Sequence, residues 1–301
     1  MTSIAIAARP EVSDAVVMPR ARGSNTAWRR FRRDRLALLA LLLLLLVVVL
    51  ALAAPIVATD PSKVDLDAIK KAPTPQHILG TDSAGRDVWS RVVYGGRVSM
   101  SVGVVAVAIA TVIGTLLGLA AGSAGGVVDN LLMRFTELIQ TFPLFFAVVI
   151  MVALVGPNVV NVMAVIGLLS WPGLARLVRG QVLSLRQEQY VEAAHALGVP
   201  ELWLGFRHIL PGVLPYLAVY GTLALAQAIL TEAALSFLGL GVQMPIPSWG
   251  GMMNSAQALT VLEDQPWLWI PPGLAIGVTV LCANFVGDGL RDAFDPRAGV
   301  R

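Results

Sequence analysis

A run of 23 residues without a charged side chain, Leu36 to Ala58, most limits what this chain can fold into. As a helix rising about 1.5 Å per residue, the run exceeds the roughly 30 Å hydrocarbon core of a bilayer, so it can span with some tilt. Five arginines precede it between Arg29 and Arg35. Ala51-Leu52-Ala53 also fits a signal-peptidase site, but the leader would be long and the apolar run continues beyond it. A retained membrane anchor is therefore favoured.

Five further apolar segments predict an all-α membrane protein with about six transmembrane helices. Hydrophobic residues make up 56% of the chain and charged residues 14%, well below the roughly 25% charged residues of soluble domains. After the first span, we place the others at about 98–122, 132–155, 159–177, 213–238 and 267–286. Pro143 is expected to kink its span. Neighbouring helices can satisfy the backbone groups that such a kink leaves without partners.

Composition divides the chain into four parts. Residues 1–28 have the composition of a disordered cytoplasmic tail, with a regulatory or docking segment as the alternative. Residues 29–59 form the first transmembrane helix, and residues 60–97 form an extracytoplasmic loop with an interfacial helix from about Asp87 to Tyr94. Residues 98–301 form a five-helix core that contains a polar cytoplasmic segment at 184–211.

Basic residues predict the orientation of these spans. With the N-terminus in the cytoplasm, 16 of the 22 lysines and arginines lie inside and six lie outside. This distribution follows the rule that cytoplasmic segments carry the excess of positive charge. Both termini are therefore expected in the cytoplasm.

The segment from Tyr190 to Pro211 predicts two short helices between the fourth and fifth spans. The first covers about Glu188 to Leu197, and Gly198 suits the left-handed position that follows a helix. Pro200 suits the first turn of the second helix, where a missing N–H costs nothing. We expect Pro211 to end that helix just before the fifth span.

This spacing resembles the EAA loop of binding-protein-dependent importer permeases. The matching positions are Glu192, Ala193, Ala194, Gly198, Leu210 and Pro211. The resemblance implies a type I ABC importer permease fold, in which the loop forms a coupling helix that docks into a groove of a cytoplasmic ATPase. Small alanine side chains would let the helix approach its partner closely. The alternative is an ordinary amphipathic cytoplasmic hairpin.

A second segment, His77 to Arg97, resembles the region before the second span in dipeptide, oligopeptide and nickel permeases of the C-type subunit. Residues 236–250 and 287–297 match the same subfamily, so the resemblance covers about residues 30–297. Within the segment, Arg86 and Asp87 are candidates for contact with substrate or with the binding protein. The alternative is that they satisfy each other and the turn.

The resemblance implies a transport subunit and not an enzyme. The lysines are Lys63, Lys70 and Lys71, and none stands in a Gly-x-x-x-x-Gly-Lys phosphate loop, so ATP hydrolysis is assigned to a partner. We find no catalytic residue, cofactor motif, metal site or nucleic-acid motif. The implied partners are a second homologous permease, cytoplasmic ATPase subunits, an extracytoplasmic binding protein and the lipid of a bacterial inner membrane.

The implied cargo is a dipeptide or oligopeptide, with nickel chelates, glutathione or haem as alternatives. A self-contained secondary carrier is the alternative from another class, but it would favour inverted repeats and several membrane-embedded charges. A sensory membrane protein would need a signalling domain, for which the cytoplasmic segments are short.

Glu232 is an acid inside the fifth span, which by default makes it a functional candidate. We consider that it lines the outer part of the pathway and attracts the terminal ammonium of a peptide. The alternative is a helix-packing residue that is hydrogen-bonded to a neighbouring span.

Overall fold

The computed structural model describes residues 24–294, and this part of the chain is built from helices. They are α1 Ser24–Phe31, α2 Arg35–Leu52, α3 Ala54–Val57, α4 Val88–Ala124, α5 Gly126–Thr141, α6 Leu144–Val155, α7 Val159–Leu185, α8 Gln189–Ala196, α9 Glu201–Leu204, α10 Leu210–Phe237, α11 Trp249–Ser255, α12 Leu259–Asp264 and α13 Ile270–Phe294. A π-helical turn, Gly205–Ile209, joins α9 to α10. The predicted tail at 1–28 lies largely outside the described residues.

The number of membrane-spanning helices agrees with the prediction. Five helical stretches are long and apolar enough to cross a bilayer, and α5 with α6 supplies a sixth crossing if this bent pair counts as one span. The two helices of the pair meet at an angle of 82°. Pro143 lies at this break, as the N-cap of α6, because a proline cannot continue the helix that precedes it.

Helix α4 begins ten residues earlier than the predicted second span, so the expected interfacial helix and that span are one helix, Val88–Ala124. Asp87 caps it by accepting a hydrogen bond from the Ser90 N–H at 2.8 Å. The pair Gly95 and Gly96 does not break the helix, because the indole of Trp249 packs against it. A Cβ added at Gly96 would lie 2.8 Å from Cζ2 of Trp249.

A seam of small residues holds α4 against α7. Gly114, Gly118 and Gly122 recur every four residues and therefore share one face of α4. Added Cβ atoms there would come within 2.9 Å of Leu174 and 2.7 Å of Val178 and Val182 on α7. The close approach is the usual means of helix association in lipid. Because the pairs ascend along both helices, α4 and α7 run parallel.

The bundle thus has two distinct ends. The last residues of α4 and α7 lie together at one end, from which α8, α9 and the start of α10 extend; we call it the α8–α9 end. Loop 60–87 and α11 lie at the opposite, α11 end, where Trp267 Nε1 donates to the Thr81 carbonyl at 3.3 Å. Helix α13 returns from there, and its Gly289 packs against Phe31 and Ala37.

Candidate functional site

Helix α8 carries three of the six predicted coupling positions, and local hydrogen bonds define where it ends. The Gly198 N–H donates to the His195 carbonyl at 2.9 Å and the Val199 N–H donates to the Ala194 carbonyl at 3.3 Å. This pair of bonds is the Schellman arrangement that ends many helices. Gly198 adopts a φ of +79°, as the sequence predicts. Apart from its chain neighbours, no atom of residues 24–294 lies within 4 Å of the position that its Cβ would occupy.

The two alanines of the motif face opposite ways. Ala194 is buried in a cluster that includes Val191 on α8, Leu204 on α9 and Val182 on α7. Ala193 is exposed. The small side chain of Ala194 therefore brings α8 close to its own bundle, and only Ala193 is free to let a partner approach.

Large apolar side chains are exposed beside Ala193, although they lie at a polar end of the bundle. Leu197 is 85% exposed and Leu202 is 80% exposed. We name this exposed surface the α8–α9 patch, and it consists of Tyr190, Ala193, Leu197, Leu202 and Trp203. Partial burial and the nearby Glu188 carboxylate both raise the pKa of Tyr190, so its hydroxyl stays protonated at neutral pH. Several large apolar side chains exposed on two neighbouring short helices are typical of an interaction site.

The Leu210–Pro211 pair does not end the second short helix. Helix α9, the π-turn and α10 form one continuous path, with Pro211 in the first turn of α10. The Leu210 N–H donates to the Gly205 carbonyl, which is the wider π spacing. The expected stop before the fifth span is wrong, because the helical path continues through the π-turn and carries Pro211 in the first turn of α10.

An arginine connects the α8–α9 region to the end of α4. Arg186 donates to the Gly122 carbonyl at 3.0 Å and to the Ser123 carbonyl. The same guanidinium lies 3.4 Å from Glu201 Oε1, which is also 3.4 Å from His195 Nδ1. Arg186 thus links both short helices to the last turn of α4.

A second ion pair fixes α5 at the same end. Arg179 on α7 donates to both carboxylate oxygens of Asp129 on α5, at 2.5 and 2.6 Å. Such a bidentate pair holds both position and orientation. In the sequence, the place of Arg179 and Arg186 near the end of a span is the signal of this structural role.

The remaining three predicted positions lie at the α11 end, far from α8. Arg86 is 8% exposed and its Nε donates to Asp82 Oδ2 at 2.8 Å. Asp87 caps α4 and lies 3.0 Å from His77 Nδ1. Arg86 is paired with Asp82 of the loop, and Asp87 contacts His77 of the loop and Ser90 of α4, so the two do not satisfy one another. Their predicted contact with substrate or binding protein stays a prediction.

Glu232 is wholly buried inside the chain, between α10, α4 and the start of α11. Its Oε1 accepts a hydrogen bond from Ser236 at 2.7 Å, whereas its Oε2 is buried with no hydrogen-bond partner among the described residues, although the hydroxyls of Ser99 and Ser248 lie near the carboxyl group. Ser99 in turn accepts from the Trp249 N–H at 3.2 Å. This placement supports the helix-packing alternative, since no face of Glu232 is open to a passing molecule.

Metal chemistry has no obvious place in the described part of the chain. Between residues 24 and 294, no three side chains of His, Cys, Asp or Glu come close enough to hold a metal ion.

Comparison with known proteins explains this combination of a spanning bundle and an exposed patch. Residues 114–300 match the family model of the binding-protein-dependent transport system inner membrane component. The chain is a member of this permease family. Residues 25–73 also match the N-terminal transmembrane domain of oligopeptide transport permease C. The permease is therefore a transport subunit rather than an enzyme, and it works with an ATPase and a binding protein.

Curated relatives cover nearly the whole permease. It is 43% identical over 281 residues to a putative peptide permease protein of Brucella suis, covering 93% of this chain and 92% of the relative. It is 43% identical over 274 residues to the oligopeptide transport system permease protein OppC of Escherichia coli K12, covering 90% of both. It is 42% identical to the glutathione transport system permease protein GsiD of Shigella flexneri, covering 90% of this chain and 89% of the relative.

Proposed function

We propose that this chain is the C-type permease subunit of an ATP-driven importer of dipeptides or oligopeptides in a bacterial inner membrane. Its neighbours in the complex are a second, homologous permease, cytoplasmic ATPase subunits and an extracytoplasmic binding protein. The observation that supports the coupling role is the α8–α9 patch, in which the side chains of Leu197 and Leu202 are exposed on the two short helices. The relatives named for peptide transport support the cargo.

In this proposal, the α8–α9 end lies in the cytoplasm and docks into the ATPase. A movement of the docked helices is passed through Glu201 and Arg186 to the last turn of α4. Because α4 and α7 are packed through glycines, they move together as one unit. The two sides of the pathway then open alternately as ATP binds and is hydrolysed.

Reporter fusions test the proposed orientation. The excess of basic residues at the α8–α9 end supports a cytoplasmic location for that end. Fusions at Ser184 and at the C-terminus should both report cytoplasm, and a fusion at Lys70 should report the other side. A cytoplasmic signal from Lys70 would invert the proposal.

Transport by the assembled complex tests the cargo. Proteoliposomes that hold the two permeases and the ATPase, supplied with the binding protein, should hydrolyse ATP faster when di- or tripeptides are added. Glutathione is the second candidate, because one relative is named for glutathione transport and the match covers 89% of that relative's length. Stimulation by glutathione alone, or by a nickel chelate or haem alone, would replace the peptide proposal.

A further inference from the structure

A cavity of about 900 Å³, open on one side, lies between the bent pair α5–α6 and helices α7 and α10. Its volume falls in the range of small-ligand pockets, roughly 300–1,000 Å³. Most of its lining is apolar, including Phe142, Leu144 and Met151. Few polar groups interrupt this lining, and they converge on one side of the cavity.

Those polar groups come from three helices. A Cβ added at Gly173 on α7 would lie 3.0 Å from the Tyr220 hydroxyl on α10 and 3.9 Å from the Gln140 amide on α5. Arg176 follows Gly173 by three residues, so it lies on the same face of α7, and it also lines the cavity. Among the described residues, none forms a hydrogen bond or ion pair with Arg176, Gln140 or Tyr220.

Arg176 lies well inside a membrane-spanning helix. It is about 26 Å along α7 from Val159 and about 14 Å before Leu185. The nearby Arg179 is paired with Asp129, whereas Arg176 has no such partner among residues 24–294. Its side chain is exposed and lines the cavity, so the guanidinium is open to a ligand there.

The backbone around the cavity supports the same view. The chain is not helical at Phe142 and Pro143, and this break faces Ser170 and Gly173 near the middle of α7. Irregular backbone at membrane depth occurs only where it is buried in protein or lines a water-filled space. Pro172 further weakens the backbone hydrogen bonding of α7 at the same level.

We propose that this cavity is a contact site for the cargo during its passage, with Arg176 binding the carboxylate of a peptide. Gln140 and the Tyr220 hydroxyl would hydrogen-bond to the peptide backbone, and the apolar walls would accept side chains of varied shape. This proposal rests on the proposed function, because it needs a peptide in the pathway. It assigns recognition of the peptide's charge to Arg176 in the cavity and not to Glu232.

Photo-cross-linking in the complete complex tests the site directly. Met151 lines the cavity and is 40% exposed, so Met151→p-benzoylphenylalanine places a photoreactive group at its wall. During ATP turnover in proteoliposomes with the binding protein, tritium-labelled tri-alanine should become cross-linked to this position. The same substitution at Leu42 on the lipid-exposed face of α2 is the control and should give no cross-link.

Substitution of the arginine then tests its role. Arg176→Gln should lower both the cross-linking yield and tri-alanine uptake by about tenfold, the loss of one charge-assisted contact. Arg176→Lys should recover part of both signals. Arg134→Gln is the matched control, because Arg134 is an exposed arginine on α5 that pairs with Glu137 outside the cavity.

The outcomes separate the two proposals. If the unsubstituted complex imports no peptide, both the proposed function and this site are wrong. If it imports tri-alanine normally but Met151→p-benzoylphenylalanine gives no cross-link, or if Arg176→Gln changes neither signal, only the site is wrong. Equal losses in Arg176→Gln and Arg134→Gln would also overturn the role of Arg176.

Discussion

The two ends of the bundle handle their polar and apolar groups in opposite ways. At the α11 end, Glu232 is fully buried among hydroxyl groups, and Arg86 is buried against Asp82. Trp249 fills the space over two glycines of α4 and donates to the Val92 carbonyl at 2.9 Å. At the α8–α9 end, Leu197 and Leu202 are exposed.

The difference lies in the buried polar groups, because large apolar side chains such as Leu66 are exposed at the α11 end as well. Burying a polar group is costly unless it is hydrogen-bonded, so the bonds that Trp249 donates to Ser99 and to the Val92 carbonyl favour one arrangement of α4 and α11. The leucine side chains exposed at the α8–α9 end would contribute favourable free energy if a partner removed them from water. We infer that the α11 end serves as the rigid frame and that the α8–α9 end transmits the ATPase movement.

The largest effect is expected from Ala193→Arg. Ala193 is exposed on α8, so a long charged side chain should leave the fold intact while it blocks close docking. The ATPase should no longer co-purify with the permease, and peptide-stimulated ATP hydrolysis should fall by about tenfold or more, as for a central interface residue. The thermal unfolding midpoint in detergent should stay unchanged.

An exposed leucine at the other end provides the control for this docking test. Leu66 is 76% exposed in loop 60–87. Leu66→Asp should leave ATPase co-purification intact, because the ATPase does not reach that end. Retention of the ATPase by Ala193→Arg, or its loss in Leu66→Asp, would remove the assigned difference between the ends.

Substitution of the neighbouring Ala194 should lower the stability of the permease rather than block docking of the ATPase. Ala194 is 8% exposed and packed in the core of its own chain. Ala194→Leu should therefore lower the free energy of unfolding by about 1–3 kcal/mol, the usual cost of overpacking a core. A lowered thermal midpoint in detergent would show this. An unchanged midpoint together with a lost ATPase would mean that Ala194, too, faces the partner.

The sequence predicts the spans and the cap of α8 because these depend on local chemistry. A charge-free run long enough for the bilayer becomes a span whatever surrounds it, and Gly198 needs only its own backbone to adopt a positive φ. The opposite orientations of Ala193 and Ala194 depend on how α8 packs against α7 and α9. No pattern within eight residues contains that information.

The missed features share a tertiary cause. The sequence predicts an interfacial helix that ends at about Tyr94, but α4 continues through Gly95 and Gly96, against which Trp249 packs from more than 150 residues later in the chain. The predicted fourth span ends at about residue 177, which places Arg176 at its cytoplasmic end. Helix α7 instead continues to Leu185, which places Arg176 beside the cavity.

A moderate effect is expected from loss of the Arg186 link. Arg186 and Glu201 are 32% and 44% exposed, so solvent weakens their attraction. In a double-mutant cycle, Arg186→Ala and Glu201→Gln should show a coupling of roughly 0.5–1 kcal/mol in the free energy of unfolding. Arg186→Ala should also reduce transport several-fold while the ATPase remains bound. Additive effects of the two substitutions would show that the link carries no coupling.

The smallest effect is expected from Glu232→Gln at the frame end. Glutamine keeps the shape of the side chain and an acceptor for Ser236, so the packed cluster should survive. Because the side chain is fully buried, uptake of free and N-acetylated peptides should change alike, each by no more than about twofold, which corresponds to roughly 0.4 kcal/mol. Glu232→Ala is the contrasting variant, since it removes the acceptor and leaves a void, and its thermal midpoint should fall. A selective loss of free-peptide uptake in Glu232→Gln would instead make Glu232 the group that binds the ammonium, and the α11 end would then take part in recognition rather than serve as a rigid frame.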